Sequence, residues 1–279
     1  MKRRFSPNSY KKLAICAIVL IASGPFATKA LAWSALGHRT VADVASRHLT
    51  KEAESEVRRL LALEGKEKMR EVASWADQVK KLAVPAQPSH VVHLNLDDSR
   101  YDPATMCHGN RCVIGAIEAD IAALKSKDVN DEARLLALKY LIHFVGDIHQ
   151  PFHTVVDRGD VMYRGKRLTL HAVWDDAILA EQGVSDEFLA QMVDDDAEKG
   201  HPGDVDPVAW ALEGRDVVRD VLVPAITKAN PQWGQAEEGP PQLPSSYAKD
   251  NWPVARKRLK LAGLRLAYVL NDIFGGKRE

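Results

Sequence analysis

Cysteine is scarce in this sequence, with three residues among 279, and several motifs of common enzymes are absent. Neither a G-x-x-x-x-G-K-[ST] loop nor a G-x-G-x-x-G loop is present, which argues against these two kinds of nucleotide-binding site. A G-x-S-x-G elbow is also missing, which argues against a serine hydrolase of that type. The composition is otherwise globular, with 46% hydrophobic and 27% charged residues, so collagen-like and broadly disordered chains are excluded.

The formal net charge of zero, from 38 basic and 38 acidic residues, hides an asymmetry along the chain. Residues 1–32 contain six Lys and Arg and no acid, so residues 33–279 carry a net charge of −6. A nucleic-acid-binding surface built from a general excess of positive charge is therefore not expected. A polyanion would have to be held by something other than net charge.

The first 32 residues have the three parts of a secretory signal peptide. A basic start precedes a short apolar run at 13–23, and a small-residue cleavage site follows at 30–32. The alternative is a membrane anchor, but the run is much shorter than the ~20 residues that span a bilayer. We therefore expect cleavage after Ala32, a mature chain that begins at Trp33, and a secreted or periplasmic protein without stable membrane association.

Two cysteines remain after that cleavage, Cys107 and Cys112, which lie five positions apart on either side of a Gly-Asn turn. This arrangement suits a small disulfide loop in an oxidising compartment. The alternative is half of a zinc site, for which the sequence offers no second cysteine pair. The disulfide is the favoured interpretation.

Apolar residues recur at helical spacing through most of the mature chain, which predicts one all-α domain over residues 33–279. The predicted helices cover 35–48, 51–63, 67–81, 113–126, 131–150, 172–181, 186–198, 207–229 and 247–274. Thr50, Asn130 and Asp206 are of the residue types that cap helix N-termini. Residues 155–170 predict a β-hairpin, because they contain turn candidates at 158–159 and 164–165. The Pro- and Gly-rich stretch 231–244 predicts a surface loop.

Histidine carries most of the chemical information, since six of the ten histidines lie in apolar or helical settings between positions 90 and 171. His143 and Asp147 are four residues apart in a predicted helix, so both side chains leave one face. His171 and Asp175 repeat that spacing. Asp77 lies in an apolar helix, and a buried carboxylate is usually paired or bound to a metal.

Imidazole and carboxylate together form a ligand set for zinc or a similar transition metal. A single helical His–Asp pair is more often a structural hydrogen bond. Two such pairs, with His153 as a further imidazole, shift the interpretation towards a metal site.

Six segments, in order along the chain, resemble the zinc-dependent single-strand-specific nucleases and 3′-nucleotidases. They are WSALGH at 33–38, SWAD at 74–77, HVV at 90–92, the cysteine loop at 107–112, HFVGDIHQPFH at 143–153 and LHAVWD at 170–175. Together they span most of the mature chain. The resemblance implies the mainly helical fold that these nucleases share with the bacterial zinc phospholipases C, with one small β-hairpin.

The resemblance also assigns ligands for three Zn²⁺ ions, position by position. They would be Asp77, His90, His143 and Asp147 for one zinc; the amine and carbonyl oxygen of Trp33, with His38 and the bridging Asp147, for another; and His153, His171 and Asp175 for the third. Asp77 and Asp147 are also assigned as catalytic. His93 and Thr169 are expected to contact substrate, and His149 is expected to be a bystander.

The activity implied is hydrolysis of single-stranded DNA and RNA to 5′-phosphate products, with 3′-nucleotidase activity, by attack of a metal-activated hydroxide on phosphorus. Three zinc ions bring a charge of +6 and their three carboxylates bring −3, so the metals would supply the attraction for phosphate that the acidic chain lacks. Nucleic acid and nucleotides would be the substrates of a monomeric enzyme.

Two alternatives remain open at this stage. A zinc phospholipase C would share the ligands and cleave a lipid headgroup, and a non-catalytic zinc-binding protein would keep the ligands alone. Thr169 stands where the family commonly has an Asn, and 158–161 replaces a common Gly-Gly-Asn in a shortened segment. Amide groups both donate and accept hydrogen bonds, so these departures concern base preference or the type of phosphoester.

Overall fold

The computed structural model describes residues 33–82, 87–156, 159–195, 203–231 and 239–275. The predicted signal peptide at 1–32 lies outside the described residues. Within the described ranges, none of the helices combines the length and the apolar character that crossing a membrane requires.

The described chain is mainly helical, as the periodicity predicts. Its α-helices are α1 (Ala35–Arg47), α2 (Lys51–Leu61), α3 (Trp75–Lys81), α4 (Pro103–Met106), α5 (Val113–Lys125), α6 (Asp131–His149), α7 (Leu170–Ala172), α8 (Ile178–Ala180), α9 (Asp186–Val193), α10 (Pro207–Val217), α11 (Val223–Ala229) and α12 (Tyr247–Phe274). Two π-helical segments, Val173–Ala177 and Val218–Leu222, join α7 to α8 and α10 to α11. Short 3₁₀ turns cover Ala62–Glu64, Met69–Glu71, His108–Asn110 and Pro151–His153.

Helix α6 is the central element, because it packs against α5, α12, α10, α1, α2 and α3. Every residue in its second half, from Leu141 to His149, is buried. A helix that is enclosed on all sides must satisfy any polar group it carries. Two of the predicted ligands, His143 and Asp147, lie in this buried half.

The predicted helix starts at 51, 131 and 207 are confirmed together with their caps. Thr50 Oγ1 accepts a hydrogen bond from the Ala53 amide (3.2 Å), and Asn130 Oδ1 accepts from the Ala133 amide (2.9 Å). Asp206 Oδ1 accepts from the Ala209 amide at 2.9 Å, ahead of a proline in the first turn. Each cap satisfies an amide that the first helical turn leaves unpaired.

The predicted β-hairpin is also confirmed, with β1 (Asp160–Tyr163) antiparallel to β2 (Lys166–Thr169). Arg164 and Gly165 have φ values of +48° and +74°, the left-handed conformation that a tight two-residue hairpin turn requires. Residues 157–158 lie outside the described residues, so the turn candidate at 158–159 is covered only at Gly159.

The single helix predicted at 67–81 is wrong, because the chain breaks between a 3₁₀ turn at Met69–Glu71 and α3. The Glu71 carboxylate folds back and accepts from the amides of Glu67 and Lys68, at 2.8 and 2.9 Å. The carbonyl of Ala73 accepts from His143 Nδ1 at 2.8 Å. The backbone amides and the carbonyl at the break therefore hydrogen-bond to side chains instead of to one another in a continuous helix. The helix predicted at 186–198 ends at Val193, and its last three residues lie outside the described residues.

Candidate metal centre

Helices and loops from distant parts of the chain bring the predicted side-chain ligands into three groups. In each group the possible ligand atoms lie within 4.8 Å of one another. The groups are His38, His143 and Asp147; Asp77, His90 and His143; and His153, His171 and Asp175. All of these residues are buried except His171, which is half-buried.

Asp147 lies at the middle of the first two groups and is fully buried. Its Oδ2 is 3.0 Å from His90 Nδ1 and 3.2 Å from His143 Nε2. Its Oδ1 is 3.4 Å from His38 Nε2 and 3.5 Å from His153 Nδ1. One carboxylate therefore faces four imidazoles.

The pKa values of His38, His153 and Asp147 favour the forms that bind metals, whereas those of Asp77, Asp175 and His143 are shifted in the opposite direction. Burial raises the pKa of the Asp77 and Asp175 carboxyls, and the Asp147 carboxylate raises the pKa of His143 against the effect of burial. Burial lowers the pKa of His38 to about 3, with a further contribution from neighbouring His143. Burial likewise lowers the pKa of His153 to about 4. Burial opposes the charge of Asp147, but the surrounding imidazoles outweigh it and hold the pKa of that carboxyl well below its usual range. Neutral imidazoles and an ionised carboxylate are the forms that coordinate a cation.

Several ligand-type atoms in this region are buried and have no hydrogen-bond partner. Among the described residues they are both ring nitrogens of His38, Oδ1 of Asp77, both carboxylate oxygens of Asp147, Nε2 of His153 and Oδ2 of Asp175. An unpaired buried polar atom costs roughly 1–3 kcal/mol, and native proteins leave few of them. A concentration of such atoms in one cluster fits a bound cation, so the residues present are suited to a metal centre.

Hydrogen bonds behind the centre fix which ring atom faces it. His143 Nδ1 donates to Ala73 O (2.8 Å), which leaves Nε2 directed at His90, Asp77 and Asp147. His153 Nδ1 donates to His90 O (3.0 Å), which leaves Nε2 facing Asp175 at 3.6 Å. A ligating histidine usually donates its other ring nitrogen in this way, which sets the tautomer and the ring orientation.

Gln150 is a positioning residue that the sequence analysis missed. Its Nε2 donates to Asp175 Oδ1 at 2.6 Å, and its Oε1 accepts from the Phe152 amide at 2.6 Å. The amide therefore holds one oxygen of Asp175 and leaves the other 3.3 Å from His171 Nε2. The available signal in the sequence was the position of Gln150 directly after the helix that carries His143 and Asp147, and the structure shows this glutamine fully buried.

The π-helical turn at Val173–Ala177 connects the beginning of the described chain to the third group. Asp175 lies in this turn, and its carbonyl accepts from the Ser34 amide at 2.6 Å. Trp33, the residue before Ser34, is fully buried. Single π turns are frequent at functional sites, and this one places Trp33 beside the chain segment that carries Asp175.

Two predicted substrate contacts lie near the centre in different settings. His93 is exposed, three residues after His90 along an extended segment. Thr169 ends β2, and its hydroxyl accepts from the Ala172 amide at 3.0 Å, which makes it the N-cap of α7.

His149 is buried away from the three groups, in a contact of its own. Its Nδ1 donates to Val145 O at 2.7 Å, and its Nε2 accepts from Arg265 Nη1 at 2.9 Å. Both ring nitrogens are thus used by the protein. Cys107 and Cys112 form a disulfide with an S–S distance of 2.01 Å.

Comparison with known proteins finds relatives that match most of this chain. A family model described as S1/P1 Nuclease matches residues 33–275. Endonuclease 3 of Arabidopsis thaliana is 29% identical over 90% of this chain and 92% of its own length. Nuclease P1 of Penicillium citrinum is 25% identical over 88% of this chain and 99% of its own length. Nuclease S1 of Aspergillus oryzae is 33% identical over about half of each chain, 51% and 53%.

Proposed function

The chain belongs to the S1/P1 nuclease family, and from this membership we propose that it is an exported, zinc-dependent endonuclease and 3′-nucleotidase. Its substrates would be single-stranded DNA, RNA and nucleotides, and its products would carry 5′-phosphates. The observation that carries the proposal is the buried cluster of His and Asp atoms without hydrogen-bond partners. Such a cluster is costly for a protein that binds no cation.

Three zinc ions would be held by the predicted ligands. The sets are Asp77, His90, His143 and Asp147; Trp33, His38 and Asp147; and His153, His171 and Asp175. When bound, zinc lowers the pKa of water towards ~7 and stabilises negative charge on phosphate oxygens.

The protein's own residues determine when such a centre is able to form. His38 and His153 resist protonation because they are buried, so they remain available as ligands at neutral pH. Asp147 offers two oxygens to opposite sides, which would join two neighbouring sites through one side chain. Gln150 fixes Asp175, so the third site would be pre-organised before substrate arrives.

Export and activity are linked in this proposal through Trp33. Removal of residues 1–32 would create a free α-amine at a residue that is already buried and fixed beside Asp175. A free amine binds a metal only when it is deprotonated, and its ordinary pKa is about 7.7–8.0. The proposal therefore requires the signal peptide to be removed before the centre is complete.

The test uses protein that begins at Trp33, with zinc content measured per chain. It is incubated with single-stranded DNA, the matching duplex, RNA and phosphatidylcholine vesicles, each with and without a chelator, and the product ends are identified. We expect chelator-sensitive cleavage of single strands and RNA to 5′-phosphates. Asp147→Asn should lower activity at least 100-fold. Loss of a residue that only hydrogen-bonds a metal ligand already costs 10–100-fold, and Asp147 is itself a proposed ligand. Asp128→Asn, an exposed carboxylate, is the matched control and should retain activity.

Other outcomes assign other functions. Cleavage of the lipid without cleavage of nucleic acid would support a zinc phospholipase C. A full zinc complement without activity on any substrate would support a non-catalytic zinc-binding protein.

A further inference from the structure

A pocket of about 370 Å³ opens beside the candidate metal centre. It is lined by Ser89, Val91, Val92, His93, Met106, Cys107, His108, Arg111 and Cys112. Two of these, Val91 and Val92, directly follow the predicted ligand His90. The backbone continues the connection, because the Val92 amide donates to His153 O at 2.9 Å. The pocket and the centre therefore share one chain segment.

The ionisable side chains at the pocket are His93, His108 and Arg111, and all three are exposed. Among the lining residues in the described part of the chain there is no Asp or Glu. Arg111 carries a permanent positive charge, and a guanidinium matches the geometry of a phosphate. Each imidazole offers an N–H donor even when neutral. In a chain with a mature net charge of −6, this is a local surface without negative charge.

The loop that carries two of these groups is held rigidly. The disulfide closes residues 107–112, and Gly109 and Asn110 have φ values of +64° and +56° that give the loop a tight turn. The Ser89 amide donates to Arg111 O at 2.7 Å, which joins the loop to the segment before His90. Arg111 Nη2 donates to Gln87 O at 3.3 Å, a contact that uses one of its five N–H groups.

The sequence limits how far His93, at the edge of the pocket, can lie from the predicted ligand His90. His93 lies three residues after His90, so their Cα atoms are at most about 11 Å apart even on a fully extended chain. A nucleic-acid strand carries a negative charge at every nucleotide, so phosphates next to the reacting one lie within this range.

We propose that this pocket is a phosphate subsite, which binds a phosphate adjoining the one that is hydrolysed. The inference rests on the proposed function, and it specifies the substrate class further. Substrates with two or more phosphates, such as oligonucleotides and terminally phosphorylated dinucleotides, are favoured over those with one. Arg111 is the principal contact, and His93 and His108 donate to the same group.

The experiment follows cleavage of the internucleotide bond, separately from release of the terminal phosphate, by zinc-loaded protein. The substrate is a thymidine dinucleotide with and without a terminal phosphate, placed at either the 5′ or the 3′ end. We expect one of the two phosphates to raise kcat/KM on the order of tenfold, as hydrogen bonds between charged groups do. Arg111→Gln should abolish most of this preference. Lys127→Gln removes the same charge beyond the far end of α5, about 20 Å away at 1.5 Å per residue, and should keep the preference.

The subsite is disproved if wild-type protein shows no preference for either phosphate, or if the Arg111→Gln variant keeps the wild-type ratio. If no dinucleotide is hydrolysed, the subsite is judged by binding, and the proposed function is judged separately by the assay on single-stranded DNA and RNA. Calorimetry with an uncharged methylphosphonate dinucleotide should show tighter binding of the terminally phosphorylated form to wild type and no such difference for Arg111→Gln. Equal affinities for wild type would reject the subsite.

Discussion

A Cβ atom at position 146, where the chain has glycine, would lie 2.8 Å from Nδ1 of His38. Real Cβ atoms do not approach a neighbour this closely, so the absence of a side chain at 146 is what lets the His38 ring lie against α6. The ring then stacks on His143, with centroids 3.8 Å apart and planes 16° apart. The residue directly before Asp147 thus controls the distance between α1 and the candidate centre.

Gly146→Ala should displace His38 and weaken the site that it shares with Asp147. We expect the variant to bind one zinc fewer per chain and to lose most activity, measured by metal analysis and hydrolysis of single-stranded DNA. Gly263→Ala is the control, because its Cβ would meet Val44 at 2.4 Å in the packing between α12 and α1. It should lower the melting temperature and keep the full metal content. A full metal content in Gly146→Ala would contradict the role given to Gly146.

Addition of one residue before Trp33 should remove a metal ligand, because the α-amine becomes an amide that has no lone pair available for zinc. We expect two zinc ions per chain instead of three, and an activity loss of at least 100-fold, since loss of outer contacts alone costs 10–100-fold. The same residue added after Glu279 is the control. Three zinc ions and full activity in the N-terminally extended protein would exclude Trp33 as a ligand.

Arg258 stabilises the end of α6, close to Asp147 and His153. It is buried, and its Nε donates to His149 O at 2.9 Å while Nη2 donates to Trp210 O at 3.3 Å. Carbonyls at a helix C-terminus have no partner within the helix, and a cation is favourable there.

Arg258→Met should lower the free energy of unfolding by about 2–4 kcal/mol, because it leaves the buried His149 carbonyl unpaired and removes a buried partner of Glu213. Urea denaturation of the zinc-loaded protein measures the change. Arg256→Met is the control: its Nε also donates to a carbonyl, Met192 O at 2.7 Å, but its side chain is 37% exposed. A surface contact of that kind should cost less than about 1 kcal/mol. Similar losses in the two variants would contradict a special role for Arg258.

Asp120 on α5 gives the protein a stability that depends on pH. Its Oδ2 is buried without a hydrogen-bond partner, and burial raises the pKa of its carboxyl to about 8. The pKa in the unfolded chain is about 3.9. Between these values the folded state holds one more proton than the unfolded state, so this contribution to stability is present at acidic pH and is lost as pH rises to about 8.

Asp120→Asn should therefore be more stable than wild type at pH 8.5 by at least about 1 kcal/mol, because the amide stays neutral where the buried carboxyl is ionised, and each pKa unit corresponds to about 1.4 kcal/mol. The difference should disappear near pH 4. Thermal denaturation across this range is the measurement, and Glu118→Gln, exposed on the same helix, should show no such trend. A difference between Asp120→Asn and wild type that is independent of pH would exclude the titration of Asp120 as its cause.

Local sequence was sufficient where a structural feature depends on residues close together in the chain. The caps at Thr50, Asn130 and Asp206 and the hairpin turn at 164–165 follow from residue types a few positions apart. The spacing of His143 and Asp147 likewise determines that both leave one face of a helix.

Features that depend on distant contacts were not predictable in this way. The chain breaks before α3 because His143, seventy residues later, takes the carbonyl of Ala73. The two π-helical segments could not be predicted either, because the spacing of apolar residues there is that of an uninterrupted α-helix. The need for glycine at 146 depends on His38, more than a hundred residues away in the chain.

The sequence by itself determined the helical class, the family and the chemical types of the candidate ligands, because these depend on periodicity and on motifs that are short and ordered along the chain. Only the tertiary structure decided that Asp147 faces four imidazoles, that Gln150 holds Asp175, and that Arg111 lines a pocket beside His90. These are distances between segments far apart in sequence. They are set by the packing of α1, α3 and the loops around the buried half of α6, where an unpaired polar atom is costly enough to fix the position of its partner.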